Sequence, residues 1–374
     1  MTFKPLKIVP IYELRSAYKD LGYSNADCAR LEVGEAAEHI AAVLDKLGHE
    51  VILVPDIHSL IKRLASGEGD TWDIAFNTTE GLHGSAREGQ VPALLEAYRI
   101  PFTFSDAATM ALCLDKGRTK MVLEHFNVPT APFAVVHFSD TDNKSQLGLD
   151  EIQSMICWSQ HSETLLSQYP LLAKPLAEGS SKGIMASNKI TGTRGLCRVI
   201  NSLRASSLSS LGVLVEKYLP GREFTVGILG TGKDAWVVGV DEIIWCNNRS
   251  AYQNREAVEF TTEKSKSTDD WDGEADEVKV SRDDPEADLA CETALQAWTV
   301  LRFRNGGRVD IRMDDSSGSP VAHVMEISIN PLAGLLPHWS QLPMIAEHND
   351  VSYGELIEHM LNSALKRRRD GSSS

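Results

Sequence analysis

Lys174-Pro175-Leu176-Ala177-Glu178-Gly179-Ser180-Ser181-Lys182-Gly183 places a lysine at the end of a short apolar run and follows it with a loop of small residues. Such a loop can cradle phosphates, because backbone amides and hydroxyls turn inward while the lysine supplies charge. Gly179 and Gly183 would let the main chain come close to a ligand. Taken alone, the stretch reads equally well as a hairpin between strands at 171–174 and 183–187. Its neighbours decide.

C-terminal to it runs Val213-Leu214-Val215-Glu216-Lys217-Tyr218-Leu219, then Gly221-Arg222-Glu223-Phe224-Thr225-Val226. A buried strand does not carry Glu216 and Glu223 without partners. A nucleotide offers partners through an adenine amino group or ribose hydroxyls; salt bridges at a strand end are the alternative. Further on, Gly307-Arg308-Val309-Asp310-Ile311 alternates, so Arg308 and Asp310 share a face. His323-Val324-Met325-Glu326-Ile327-Ser328-Ile329-Asn330 alternates likewise, with Glu326, Ser328 and Asn330 on one side. Two such strands side by side present the oxygen set that magnesium prefers. Arg308 could stabilise charge on a transferring phosphoryl group. On the N-terminal side, Asp115-Lys116-Gly117-Arg118-Thr119-Lys120 opens a helix with basic residues. This is either a solvated face or a second lysine for a triphosphate.

The chain has 374 residues, too many for one ordinary core and enough for two or three units. Its net charge of −15 argues against general nucleic-acid binding, and no apolar run is long enough to span a bilayer. Nothing at the N-terminus reads as a secretory leader, and the six cysteines (28, 113, 157, 197, 246, 291) form no Cys-x-x-Cys pair. The expectation is a cytoplasmic protein with reduced thiols and no membrane or nucleic-acid partner. The basic run Lys366-Arg367-Arg368-Arg369 reads as a helix C-terminus. The first hundred residues alternate strands and helices, which implies a parallel sheet. Helices are expected at 32–47, 59–65, 90–98, 107–127, 287–301 and 352–368. Strands are expected at 7–12, 50–54, 72–77, 100–102, 213–218, 223–229, 307–313 and 321–329. The polar stretch 246–286 reads as a long mobile loop.

In this order, the pieces resemble the ATP-grasp superfamily, and within it the D-alanine–D-alanine ligase family. The resemblance runs from about Trp72 to Arg368. It also rests on Leu82-His83-Gly84, Arg87-Glu88-Gly89, Leu94-Leu95-Glu96 and Ile100-Pro101-Phe102-Thr103. It implies an α/β ATP-grasp architecture of three units: 1–105, 106–212 and 213–370, with a tail at 371–374. It implies that Lys116, Lys174 and Ser181 contact phosphates. Glu216, with the main chain of Lys217 and Leu219, would hold the adenine, and Glu223 the ribose. Asp310, Glu326, Asn330 and Ser328 would hold two magnesium ions, with manganese as a substitute. Ser180 would close over the reacting groups, Arg308 would stabilise an acyl phosphate, and His83 and Glu13 would meet the first amino acid. The implied reaction has ATP activate one amino acid's carboxylate for attack by another's amine, in a homodimer by analogy.

The chain departs from the family in three places. In the metal strand, either Asn330 keeps the family's role with two residues added after Glu326, or Ser328 replaces a ligand. The mobile loop offers only Tyr252 or Arg255 where the family has a Lys-Tyr pair. The first strand runs into Glu13 without the family's glycine-rich turn. Two other readings therefore stand beside the first: an ATP-grasp ligase for a different acid or acceptor in specialised metabolism, and a catalytically silent nucleotide-binding relative.

Overall fold

The computed structural model describes residues 4–25, 28, 31, 34–138, 146–158, 165–178, 183–206, 212–245, 275–316 and 318–369, without the side chains of 157–158, 326–329 and 368–369. The N-terminal unit is a parallel sheet in the order β2-β1-β3, made of β1 (Lys7–Ile11), β2 (Glu50–Val51) and β3 (Ile74–Asn77). Four helices connect and cover it: α1 (Arg15–Asp20), α2 (Glu35–Lys46), α3 (Ile57–Ala65) and α4 (Gln90–Ala97). Ala36, Ala37, Ile40 and Leu44 form the buried stripe of α2, as their spacing requires. The strand expected at 100–102 reduces to one parallel bridge between Phe102 and Ala75.

The single helical region expected at 107–127 is two helices, α5 (Ala107–Leu114) and α6 (Lys116–His125). Asp115 breaks it. Its backbone leaves the helical region, and its side chain caps α6 by accepting from the Arg118 amide at 3.0 Å. A five-stranded antiparallel sheet follows in the order β5-β4-β8-β6-β7. Its strands are β4 (Phe133–Val136), β5 (Ile156–Trp158), β6 (Leu171–Pro175), β7 (Lys189–Ile190) and β8 (Val213–Lys217), with α7 (Leu149–Ser154) and α8 (Thr193–Ala205) packed against it. No strand forms at 183–187; β7 begins two residues past the end expected for it. Asn188 holds the intervening turn by donating to the carbonyls of Ala173 and Gly183 at 2.9 and 2.8 Å. A division at 212 cuts this sheet, because β8 lies in its middle, paired with β4 and β6.

The second five-stranded antiparallel sheet has the order β11-β10-β9-β12-β13. It comprises β9 (Glu223–Leu229), β10 (Trp236–Trp245), β11 (Ala275–Lys279), β12 (Gly306–Asp314) and β13 (Val321–Asn330). β11 falls within the stretch expected to be a loop; residues 246–274 lie outside the described residues. Alternation divides the sheet's faces. Phe224, Val226, Val309 and Ile311 pack with Trp298 of α9 (Pro285–Val300). The opposite face carries Thr225, Arg308 and Asp310, and α10 (Gln341–His348) packs against this sheet. The closing helix α11 (Tyr353–Arg369) returns to the N-terminal unit, where Arg367 donates to the Phe102 carbonyl at 2.7 Å. Among the described residues no helix is long and apolar enough to cross a membrane.

Candidate active site

Helix α6 carries Lys116 and Lys120 four residues apart, hence on one face, turned toward the central sheet. Lys120 is fully buried and donates to Thr130 at 2.8 Å and to Glu216 Oε2 at 3.0 Å. Lys174, at the end of β6, lies 2.5 Å from Glu216 Oε1 and is equally buried. Glu216 therefore bridges two lysines. Burial alone would raise its pKa, but Lys174 and Lys120 together pull it down to about 2. The carboxylate expected at an adenine is held in this ion-pair network, while Glu216 also lines a narrow cleft between the sheets with Leu172, Tyr218, Leu219 and Arg312. Lys116 donates to the Glu178 carbonyl at 2.5 Å. Burial, then the charge of Lys174, lowers its pKa to about 7. Ser180 and Ser181 lie outside the described residues.

Glu223 opens the second sheet. Its Oε2 accepts from Arg312 at 2.5 Å and from Trp245 at 3.2 Å, and burial raises its pKa against the pull of Arg312. Arg312 also donates to the Leu219 carbonyl at 3.1 Å, so it ties together two of the groups expected to hold the nucleotide. A cavity of about 740 Å³ opens beside Glu223, Arg312, Lys217, Tyr218 and Trp245. The Lys217 ammonium spans the two sheets to Asp314 at 2.8 Å.

Deeper on the same face, Arg308 donates to both oxygens of Asp310 at 3.1 and 3.3 Å, and Thr225 donates to Asp310 at 2.7 Å. Arg308 also donates to Gln341. β13 places Asn330 opposite Arg308, and with its amide oxygen turned to the guanidinium Asn330 accepts at 2.8 and 3.3 Å. One expectation needs correction here. Strict alternation would put Glu326, Ser328 and Asn330 on one face, with His323 on the other. The pairing sets His323 opposite Arg312 and Asn330 opposite Arg308, and those two arginines share a face of β12. The register shifts in between, so alternation fails within 325–328 and does not fix the faces of Glu326 and Ser328, whose side chains lie outside the described residues. Among the described residues no three His, Cys, Asp or Glu side chains are grouped to hold a metal.

The N-terminal unit supplies the third wall. Glu13 follows β1, is 5% exposed, and accepts from Tyr18 at 3.0 Å and from the amides of Gly81 and Glu80 at 2.7 and 3.2 Å. Burial raises its pKa. Gly81 has a φ of +71°, and a Cβ there would lie 2.5 Å from the Arg87 carbonyl, so only glycine fits the turn that presents its amide. His83 is exposed and stacks on Tyr23. Arg87 crosses to the loop after β6 and donates to the Ala177 carbonyl at 3.2 Å. Glu88, between Glu80, Arg87 and Lys116, is pushed up to about 7, chiefly by burial.

Arg87 thus ties the loop of the N-terminal unit to the central unit at Ala177, and Lys217 ties the central sheet to the second sheet at Asp314. Residues 122–362 match the family model described as the D-ala D-ala ligase C-terminus. The chain belongs to this family. It is an ATP-dependent ligase of the ATP-grasp type, forming C–N bonds. Similarity extends beyond the matched residues. A D-alanine–D-alanine ligase of Gluconobacter oxydans (strain 621H) is 28% identical over 349 residues, covering 92% of this chain and 97% of that protein. One from Thermotoga petrophila is 26% identical over 335 residues, covering 88% and 91%. A Bacillus anthracis D-alanine–D-alanine ligase solved in complex with ATP superposes with a TM-score of 0.66 at 20% identity, over 98% of this chain and 99% of that one, a likeness of fold. For this ligase, sequence reasoning missed Lys120, Arg87, Glu88, Arg312 and Gln341. Lys120 had a readable signal, its four-residue spacing from Lys116. The others come into place through contacts between distant segments.

Proposed function

We propose that the chain joins the carboxylate of one amino acid to the amine of another through an acyl phosphate, at the expense of ATP, with D-alanine the first substrate to test. The observation that carries this reading is the pairing of two buried clusters: Lys120 and Lys174 on Glu216 with Lys116 beside Lys174, and Arg308 with Asp310 and Asn330. A polyphosphate suits the first, with Lys116 and Lys174 on its oxygens and Ser181 beside them. The adenine would lie against Glu216 and the main chain of Lys217 and Leu219, and the ribose at Glu223. Asp310 and Asn330 are hard oxygen donors, as magnesium or manganese requires, and Glu326 and Ser328 would complete the set. The metal would neutralise charge on the phosphates.

Glu13 would meet the first amino acid's ammonium, with His83 nearby. The first amino acid's carboxylate attacks the γ-phosphate and ADP leaves as the acyl phosphate forms; Arg308 stabilises the charge that develops, and Ser180 closes over the centre. No protein nucleophile is needed. The units proposed are an N-terminal one to residue 105, a central one from 106 through β8, and a C-terminal one from β9. The N-terminus and the unpaired cysteines support a cytoplasmic protein and the family analogy a homodimer; light scattering on the purified protein tests the dimer.

The decisive experiment incubates the protein with ATP, magnesium and D- and L-amino acids, singly and in pairs, following ADP, phosphate and product mass. A D-alanyl-D-alanine mass supports the reading in full. Turnover only with another pair keeps the chemistry and changes the product. ATP binding without turnover by any pair sinks it.

A further inference from the structure

Glu277 of β11 is a half-buried residue whose carboxylate the chemistry above does not use. Its Oε2 accepts from Gln341 Nε2 at 3.3 Å, and its Oε1 is buried without a hydrogen-bond partner among the described residues. The oxygen of the same Gln341 amide accepts from Arg308. One side-chain amide therefore separates this carboxylate from the guanidinium at the reacting centre. Behind it stands Asp241 of β10. In the register β11–β10, Asp241 is the diagonal neighbour of Glu277 on one face, within reach of a long side chain. Asp241 is fully buried; its Oδ1 has no partner among the described residues, and its Oδ2 lies 2.7 Å from His348 Nδ1. The His348 side chain is 34% exposed. A line of proton-carrying groups thus runs from the neighbourhood of Arg308 to solvent.

We propose that Glu277 takes the proton from the acceptor's ammonium before the amine attacks, and that Asp241 and His348 pass it to solvent. This rests on the reading that the acyl phosphate forms beside Arg308. The step balances. The ammonium gives one proton to the Glu277 carboxylate, and the free amine attacks the acyl carbonyl. The C–N bond forms, and the C–O bond to phosphate breaks with its electron pair leaving on phosphate. The nitrogen's second proton leaves with the phosphate. Glu277 then discharges through Asp241.

The charged groups around Glu277 fit that duty. Burial, then Asp241, push its pKa up to about 7, with Asp310 of β12 adding and Arg308 and the Gln341 hydrogen bond opposing. Asp241 is itself raised by burial against the pull of His348 of α10 and Lys279 of β11. A base of this pKa is ionised in a useful fraction at neutral pH and is still strong enough to accept.

The test uses the full-length protein, ATP, magnesium and D-alanine as the acid, with two nucleophiles in parallel: D-alanine, and hydroxylamine. Hydroxylamine is largely unprotonated at neutral pH and needs no base. Glu277→Gln is expected to slow dipeptide formation by roughly 10²-fold, as for loss of a general base, while hydroxamate formation persists within a few-fold. Hydroxamate formation also proves that the variant folds. Equal loss of both products would mean that Glu277 merely steadies Gln341 and Arg308, and would overturn the proposal, as would loss of neither. The acid is D-alanine or, if another amino acid supports ATP turnover instead, that one; no hydroxamate from the unmodified protein with an acid that supports turnover would sink the acyl-phosphate reading itself, and this inference with it.

Discussion

The two antiparallel sheets bury charge in opposite senses. Against the central sheet, Lys120 and Lys174 share one carboxylate, Glu216, and Lys116 lies beside Lys174. On the facing sheet, Glu223, Asp241, Glu277 and Asp310 outnumber Arg308 and Arg312. Buried charge is costly unless paired, so neither excess suits a resting scaffold. In the function proposed above, each excess would match one half of a ligand set: polyphosphate oxygens for the lysines, metal ions and an ammonium for the carboxylates. The asymmetry also divides the labour, since the first cluster is held by its own ion pairs and the second waits on what it binds.

If that contrast is right, Glu216→Ala should have the largest effect of any single change in the cleft. It leaves Lys120 and Lys174 buried without their counter-charge, at a cost of about 3–5 kcal/mol. Thermal unfolding should show the loss, and ATP should restore part of it by binding the native state. An unchanged Tm would mean that the lysines do not depend on Glu216. Arg308→Ala should behave differently: a fall in kcat of roughly 10²–10³-fold, with little change in ATP affinity. Steady-state kinetics separates the two parameters, and a raised KM for ATP with unchanged kcat would move Arg308 out of the reacting centre.

The first cluster was far more legible in the sequence than the second. Lys116, Lys174 and Glu216 sit in short local patterns: a capped helix start, a lysine at a strand end, a glutamate in an apolar strand. Their residue types announce buried charge, although Glu216 pairing with two lysines had to be seen in the fold. The second cluster is assembled across five strands and a helix, and Gln341 reaches Arg308 over 33 positions of chain. The register shift in β13 defeats an alternation argument that worked for Arg308 and Asp310 on β12. The α/β order of the N-terminal unit was readable from periodicity. The break at Asp115 and the membership of β8 were not, because a side-chain cap and strand pairing decide them.

Lys116 sharpens the comparison through pH. In the free protein its pKa is lowered to about 7, by burial first and by Lys174 second. Phosphate oxygens favour the charged form, so ATP binding raises that pKa and takes up a proton. Affinity should therefore be full below pH 7 and decline as pH rises above it, by at most about tenfold per unit for one proton. ATP titrations between pH 6 and 9 test this. Lys116→Arg, always charged, should flatten the slope. A flat profile in the unmodified protein would mean that Lys116 does not contact the phosphates.

The smallest effect belongs to the link between the two clusters. Lys217 of β8 reaches Asp314 of β12 at 2.8 Å and Ser316 at 3.2 Å, with the Lys217 side chain 30% exposed. Burial would raise the Asp314 pKa, but hydrogen bonds from Lys217 and Ser316 bring it down to about 2. A depressed carboxylate contributes above its ordinary value and loses that contribution as pH falls toward 2. Solvent reaches one partner, so Lys217→Ala should cost no more than about 1 kcal/mol at neutral pH, and less in high salt. Its interest lies in where the pair sits, across the mouth of the cleft beside Glu223. If the sheets move apart to admit a nucleotide, losing the pair should leave stability nearly intact while speeding ATP entry, read by stopped-flow binding. An unchanged association rate would mean that the sheets already stand open enough for the nucleotide.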